Sequence, residues 1–317
     1  MCVEGGGWRD SPSPHFKGGK EAVTVNKRGQ FVIIAIFILP ALFMLIYFVL
    51  IPIGKTFYYS FFAWDAISSM KFIAFRNYTN LIKDPIFRIA ALHVLIYVLT
   101  SLAVEIPLGL VLAFVISGKI RGQKLFRVLF FQPVVLPATA VALMFLLIYE
   151  PNFGLLNSLF KSIGLDGLTS NWLADRKIAF FPAMIPRIWQ NIGLSFIILQ
   201  AGIKSIPYEF FEAAFIDGIA ENSFRMFRII LPMLWDKLQV CIILVVVGVM
   251  KSFEHIFALT EGGPNHATEI FGTYLFDSIF RSMEYGYGSS LAVVIFVTGL
   301  IFTFVFKKFF SGEMIEY

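Results

Sequence analysis

Charge is what this sequence has least of. Only 15% of its 317 residues are Asp, Glu, Lys or Arg, while 58% are hydrophobic. A soluble domain of this length carries nearer a quarter charged residues, so the surplus apolar surface is expected to meet lipid. Cysteine is almost missing. Cys2 and Cys241 are too few for a disulfide framework or a zinc spacing. No apolar run precedes Cys2, so it is not expected to be a lipoprotein anchor. The four histidines stand alone at 15, 93, 255 and 266. No His-Glu-x-x-His, Gly-x-Ser-x-Gly or paired catalytic carboxylates occur, so no catalytic residue, metal or cofactor is expected. A nucleotide loop is missing too: around Gly19-Lys20, Pro14 stands where the leading Gly belongs and Glu21 replaces Ser or Thr. Any energy from ATP must come from another chain. The net charge of +5 is spread over short connecting segments. It reads as topology information and not as a nucleic-acid footprint.

What is present is a series of long apolar runs, rich in aromatics, with 37 Phe and a mean hydropathy of +0.77. A bilayer core of about 30 Å needs about 20 apolar helical residues. Charge-poor stretches place spans near 31–53, 90–117 and 128–149, then between Lys177 and Lys204, Lys237 and Glu261, and Glu284 and Lys307. The fold class expected is all-α, a polytopic membrane protein with six transmembrane helices. Lys and Arg favour the segments that face the cytoplasm when both termini lie inside. The compact basic turn from Gly118 to Lys124 is the strongest vote. Residues 1–30 lack a signal peptide's apolar run and are expected to form a cytoplasmic tail, as are 311–317, leaving 31–310 as the six-helix transmembrane domain. Pro40, Pro107, Pro133, Pro137, Pro182 and Pro186 punctuate the spans. In a membrane bundle, neighbouring helices can satisfy the carbonyls that each proline frees.

The segment between the fourth and fifth spans carries the most information. It reads Lys204-Ser-Ile-Pro-Tyr-Glu-Phe-Phe-Glu-Ala-Ala-Phe-Ile-Asp-Gly218 and ends at Ile229-Ile230-Leu231-Pro232. Pro207 suits a helix start and Gly218 a left-handed stop, giving a helix over about 207–218. Tyr208, Phe211, Ala214 and Phe215 are spaced to share one face, with Glu209 and Glu212 on other sides. A helix lying at the lipid surface usually offers Lys and Arg to anionic lipid. This one offers Glu209, Glu212 and Asp217, which suits a basic protein partner better.

The same residues resemble the EAA signature of permease subunits in binding-protein-dependent ABC importers. Here it stands as Glu212-Ala213-Ala214, three residues, Gly218, ten residues and Ile229-Ile230-Leu231-Pro232. In the family the gap after Gly is about nine. The resemblance implies a coupling helix seated in a cleft of a cytoplasmic ATPase, with Glu212, Ala213, Ala214, Asp217 and Gly218 at that contact. The run Ile188-Trp189-Gln-Asn-Ile-Gly193 and the segment Leu259-Thr260-Glu-Gly262-Gly263-Pro264-Asn-His-Ala267-Thr268-Glu269 are similar to the carbohydrate-uptake class. So are Asn77-Tyr78, Asp84-Pro85 and Tyr285-Gly-Tyr-Gly288. Glu254 and His93 depart from the usual residues. By this resemblance the partners are a second, similar permease, an ATPase dimer and an external solute-binding protein. The cargo is a sugar or oligosaccharide moved by alternating access.

Ionisable residues at membrane depth are functional candidates because each is costly there. Arg187 and Glu105 either pair with each other, or with carbonyls freed by nearby prolines, or serve the cargo. Lys251 and Glu254, at i and i+3, either neutralise each other or serve it, and His255 reads as a hydrogen-bonded bundle residue. A sugar site combines an aromatic face with amides or charges, which singles out Trp189, Asn191, Lys251 and Glu254. The competing readings are an importer permease for a non-sugar solute and an ion-coupled secondary transporter. The latter usually shows repeated halves, and no convincing internal repeat is found.

Overall fold

The computed structural model describes residues 27–118, 121–216, 218 and 230–310. The chain falls into two compact units, Met1–Ile53 and Gly54–Tyr317. In the first, α1 (Lys27–Leu45) passes through a π-helical turn at Ile46–Leu50 into α2 (Ile51–Tyr59). Pro52 follows the wide turn directly, so the helix loosens just where a ring must be accommodated. The stretch Ile36–Tyr59 has 24 residues and a mean hydropathy of 2.8. At 1.5 Å per residue it reaches roughly 36 Å, enough to cross a bilayer.

The second unit begins at Gly54 within α2 and continues with a small hairpin, β1 (Phe62–Ala63) against β2 (Lys71–Phe72), with Phe62 opposite Phe72. Its loop is tied by Asp65, which accepts from the N–H of Ile67 at 2.9 Å and of Ser68 at 2.7 Å. Led by the Ser68 N–H, these bonds hold the Asp65 carboxyl down at about 2. On α3 (Arg76–Lys83), buried Asn77 donates to the carbonyls of Ser60 and Phe62 at 2.8 and 3.0 Å. Asp84 then caps α4 (Pro85–Ser117), accepting from Ile86 N–H at 2.8 Å with Pro85 in the first turn.

The third expected span is not one helix. α5 (Gln123–Val135) and α6 (Ala138–Ile148) meet at 96°. Pro137 has no N–H to continue the ladder, and it forces Leu136 before it into an extended conformation at φ −69°, ψ 143°. The Leu136 carbonyl this frees accepts from Gln190 Nε2 at 2.7 Å. After α7 (Leu155–Ser162) comes α8 (Phe180–Ser205), then α9 (Tyr208–Ile216). The fifth span is also bent, by 41°, between α10 (Trp235–Met250) and α11 (Glu254–Thr260). α12 (Phe271–Phe276) runs into a π-helical turn at Asp277–Arg281, and α13 (Tyr285–Phe310) ends the described chain.

Among the described residues, three helices are long and apolar enough to cross a membrane, or up to five if each bent pair is one span. Among the six expected, α8 does not qualify on its composition. It is 26 residues long and buries Arg187, Gln190, Ser195 and Gln200. Its polar groups face protein instead of lipid, which a hydropathy count cannot register.

α8 packs lengthwise on α4, and backbone proximity is the reason it can. A Cβ on Gly109 would lie 2.9 Å from Ser195 Cβ and 3.0 Å from Phe196 N. On Gly193 it would lie 2.2 Å from the Phe130 carbonyl oxygen. Small residues at such contacts supply the close van der Waals packing that holds helices together where lipid removes the hydrophobic drive. Two buried clusters result. One gathers Tyr97, Met184, Ile256 and Leu291. The other gathers Ala113, Phe196, Leu199, Leu234 and Ala214.

Candidate functional site

The helix carrying the acidic signature forms, as α9, over Tyr208–Ile216. Gly218 adopts φ +77° and its N–H reaches the Phe215 carbonyl at 3.0 Å. That left-handed turn is cheap only for glycine. The expected apolar face is divided. Ala214 is buried, Phe211 is half-buried, and Tyr208 and Phe215 are 67% and 70% exposed. A nine-residue helix can bury only the side facing its neighbours, and the ends turn outward. Glu212 and Ala213 are exposed. Asp217, and Ile229 of the closing motif, lie outside the described residues. Tyr208, Phe215 and Glu212 line a cavity of about 780 Å³ with Phe114 and Lys204.

At membrane depth, Arg187 Nη1 donates to Glu105 Oε1 at 3.0 Å, with both side chains buried. The guanidinium also lies 5.7 Å from the centre of the Tyr97 ring. Gly248 on α10 leaves it room, since a Cβ there would come within 2.5 Å of Arg187 Nη2. Of the readings open for these residues, mutual pairing is the one observed. His255 Nε2 meets Gln190 Oε1 at 2.6 Å, a bundle contact as expected.

The four residues singled out for a sugar do not share one cavity among those described. Trp189 packs against Phe145 at 5.8 Å. Asn191 donates to the Arg187 carbonyl at 2.9 Å and faces a cavity of about 10 Å³ beside Glu105 and Cys241, room for about one water. Lys251, exposed at the α10–α11 elbow, lines another of about 480 Å³ with Phe253, Phe276 and Phe296. Glu254 is exposed on the first turn of α11. Lys251 and Glu254 do not neutralise each other: among the described residues they form no ion pair. The broken helix explains this, because residues 251–253 no longer follow the i, i+3 geometry.

A further cluster is one that sequence reasoning does not group. The Asp84 carboxylate accepts from the hydroxyls of Tyr274 and Tyr287, the latter at 2.5 Å. Burial pulls the Asp84 carboxyl up, but these hydroxyls and the Ile86 N–H outweigh it and hold the group below its usual range. Fully buried Glu269 meets His266 Nδ1 at 2.7 Å and accepts from Thr273 Oγ1. His93 Nδ1 contacts the Glu269 carbonyl at 2.8 Å and the ring stacks on Phe180 at 4.2 Å. The motifs around residues 84, 93, 259–269 and 285–288 had each been noticed. Their separations of up to about 200 positions leave no period by which sequence could join them.

Comparison with known proteins connects these features. Residues 105–312, which hold α8, α9 and the bent fifth span, match the family described as "Binding-protein-dependent transport system inner membrane component". The chain is 36% identical over 279 residues to the probable ABC transporter permease protein YurN of Bacillus subtilis, covering 87% of this chain and 95% of that one. It is 30% identical to the multiple sugar-binding transport system permease protein MsmF of Streptococcus mutans, covering 82% and 89%. Its fold is similar to a chain in the crystal structure of a bacterial ABC transporter that imports the acidic polysaccharide alginate, at a TM-score of 0.78 and 19% identity over 90% and 97% of the two chains. A family match across most of the chain, centred on the helices that build both candidate sites, makes this protein a member of the inner-membrane permease family of binding-protein-dependent transport systems.

Proposed function

We propose that the chain is one transmembrane permease subunit of an ATP-driven importer that moves a sugar or oligosaccharide across the cytoplasmic membrane. The observation that carries this is the family match over 105–312, which contains the Glu212-Ala213-Ala214 and Gly218 signature. The sugar enters from relatives whose names include multiple sugar-binding, diacetylchitobiose and trehalose/maltose transport. In this reading α8 is the fourth span and completes the six, both termini are cytoplasmic, and residues 31–310 form the permease domain. α9 is the coupling helix, with Glu212, Ala213, Ala214, Asp217 and Gly218 against a separate ATPase. Two features of α9 support that assignment. Its exposed Glu209 and Glu212 suit basic side chains, and exposed Tyr208 and Phe215 suit a protein surface better than water. A second permease and an external solute-binding protein complete the assembly. Trp189, Asn191, Lys251 and Glu254 contact the sugar during passage.

The test is reconstitution of the chain with its neighbouring transport genes in liposomes holding ATP. Uptake of labelled oligosaccharide should need the ATPase and the binding protein, and Glu212→Ala or Gly218→Pro should abolish it while sugar still binds the external protein. Uptake by this chain alone, driven by a proton gradient, would refute the proposal.

A further inference from the structure

The first turns of α4 meet the segment 269–274 through three independent contacts. Asp84 receives both tyrosine hydroxyls, Tyr274 from α12 and Tyr287 from α13, and the two hydroxyls lie 3.2 Å apart. Phe87 stacks on Phe271 at 5.7 Å with a 19° interplanar angle. His93 reaches the Glu269 carbonyl. These contacts sit one to two turns apart along α4, so α12 has little freedom to slide or rotate on it. The other side of α12 enters the elbow of the bent fifth span. A Cβ on Gly272 would lie 2.5 Å from the Ser252 carbonyl oxygen and 3.0 Å from Phe253 Cβ.

The preceding segment is equally stiff. Thr260 and Thr268 hydroxyls bond at 2.7 Å, and Thr268 Oγ1 also donates to the Gly263 carbonyl at 2.7 Å. Glu269 lies against Gly262, whose Cβ would fall 2.8 Å from a carboxylate oxygen. An outward-facing loop, α12 and the elbow thus form one closely packed chain of contacts. Sub-ångström shifts are passed along such packing because it deforms in steps, not smoothly.

We infer that Asp84 is a positioning residue for transport: its carboxylate fastens α12 to α4, so that a load on the outer 261–269 loop is delivered to the α10–α11 elbow. The inference rests on the importer reading, since the load is the docking of the external binding protein. A cycle of substitutions measures that coupling.

The experiment uses the complete complex in nanodiscs, with hydrolysis read with and without the sugar-loaded binding protein. Asp84→Asn should cut the binding-protein-stimulated rate and sugar uptake about tenfold, within the usual span of allosteric coupling, and leave basal hydrolysis and complex yield unchanged. Tyr274→Phe with Tyr287→Phe should do the same, and adding Asp84→Asn to that pair should lower the rate by less than about twofold more. Unchanged stimulation in Asp84→Asn overturns the inference. So does an equal loss of basal and stimulated hydrolysis, or an additive triple variant. If Asp84→Asn fails to assemble, Tyr287→Phe alone carries the same comparison. A wild-type complex without stimulation refutes the importer reading instead, before any variant is made.

Discussion

Removing the Glu105 carboxylate should be among the most damaging single changes in this protein. Glu105 and Arg187 are 3.0 Å apart, with side chains only 1% and 7% exposed. At an effective dielectric of about 20, that separation corresponds to roughly 5 kcal/mol of attraction. Desolvation of both ions offsets most of it in the intact protein, so the pair contributes little net stability. The loss of one partner is another matter, because the surviving charge is buried with nothing to answer it, at a cost of about 3–5 kcal/mol. Glu105→Gln should therefore lose about that much. The double variant Glu105→Gln with Arg187→Met should recover more than half of the loss, since Met fills the space beside Gly248 and Tyr97 without a charge. Unfolding in mixed detergent and SDS, followed by circular dichroism or Trp fluorescence, gives the four free energies of the cycle. A Glu105→Gln cost below about 1 kcal/mol, or a double variant less stable than either single one, would refute this reasoning.

Gly193→Ala sets a methyl 2.2 Å from the Phe130 carbonyl oxygen, a backbone atom that cannot swing away. It should separate α5 from α8 at a cost of at least about 1–3 kcal/mol, seen as a lower melting temperature and a poor yield of monodisperse protein. Asn157, buried on α7, donates to the Pro151 and Ser170 carbonyls at 3.0 Å each and accepts from Trp172 Nε1 at 2.8 Å. Asn157→Leu should release the segment around 151–172, and limited trypsin digestion should then cut at Lys161, Arg176 or Lys177 many times faster than in wild type. Asp84 has a depressed folded-state pKa, so its stabilisation is full above the unfolded value near 3.9 and is lost as pH falls through the lower folded value. The melting-temperature advantage of wild type over Asp84→Asn should hold from pH 7 to about 5 and shrink below about pH 4.

Several elements were legible from local pattern. The spans near 31–53, 90–117 and 284–307 appear as Ile36–Tyr59, Pro85–Ser117 and Tyr285–Phe309, because a charge-poor apolar run long enough to cross lipid has few other uses. α9 and its Gly218 stop were legible for a similar reason: a proline start, an apolar spacing and a left-handed glycine are all short-range signals. The breaks at Pro137 and at Lys251–Phe253 were not read. Whether Pro137 kinks a helix or ends one depends on what receives the freed carbonyl, and that receiver is Gln190 on another helix.

Sequence alone therefore determined that this is a polytopic membrane protein with an acidic-faced helix between two late spans, because hydropathy and turn chemistry are properties of neighbouring residues. Tertiary structure decided the rest. It paired Arg187 with Glu105, 82 positions away, and left Lys251 without Glu254. It distributed Trp189, Asn191 and Lys251 over different surroundings and drew Asp84, Tyr274 and Tyr287 into one cluster. A buried polar group takes whichever partner the packing brings within 3 Å, and only the folded chain selects that partner.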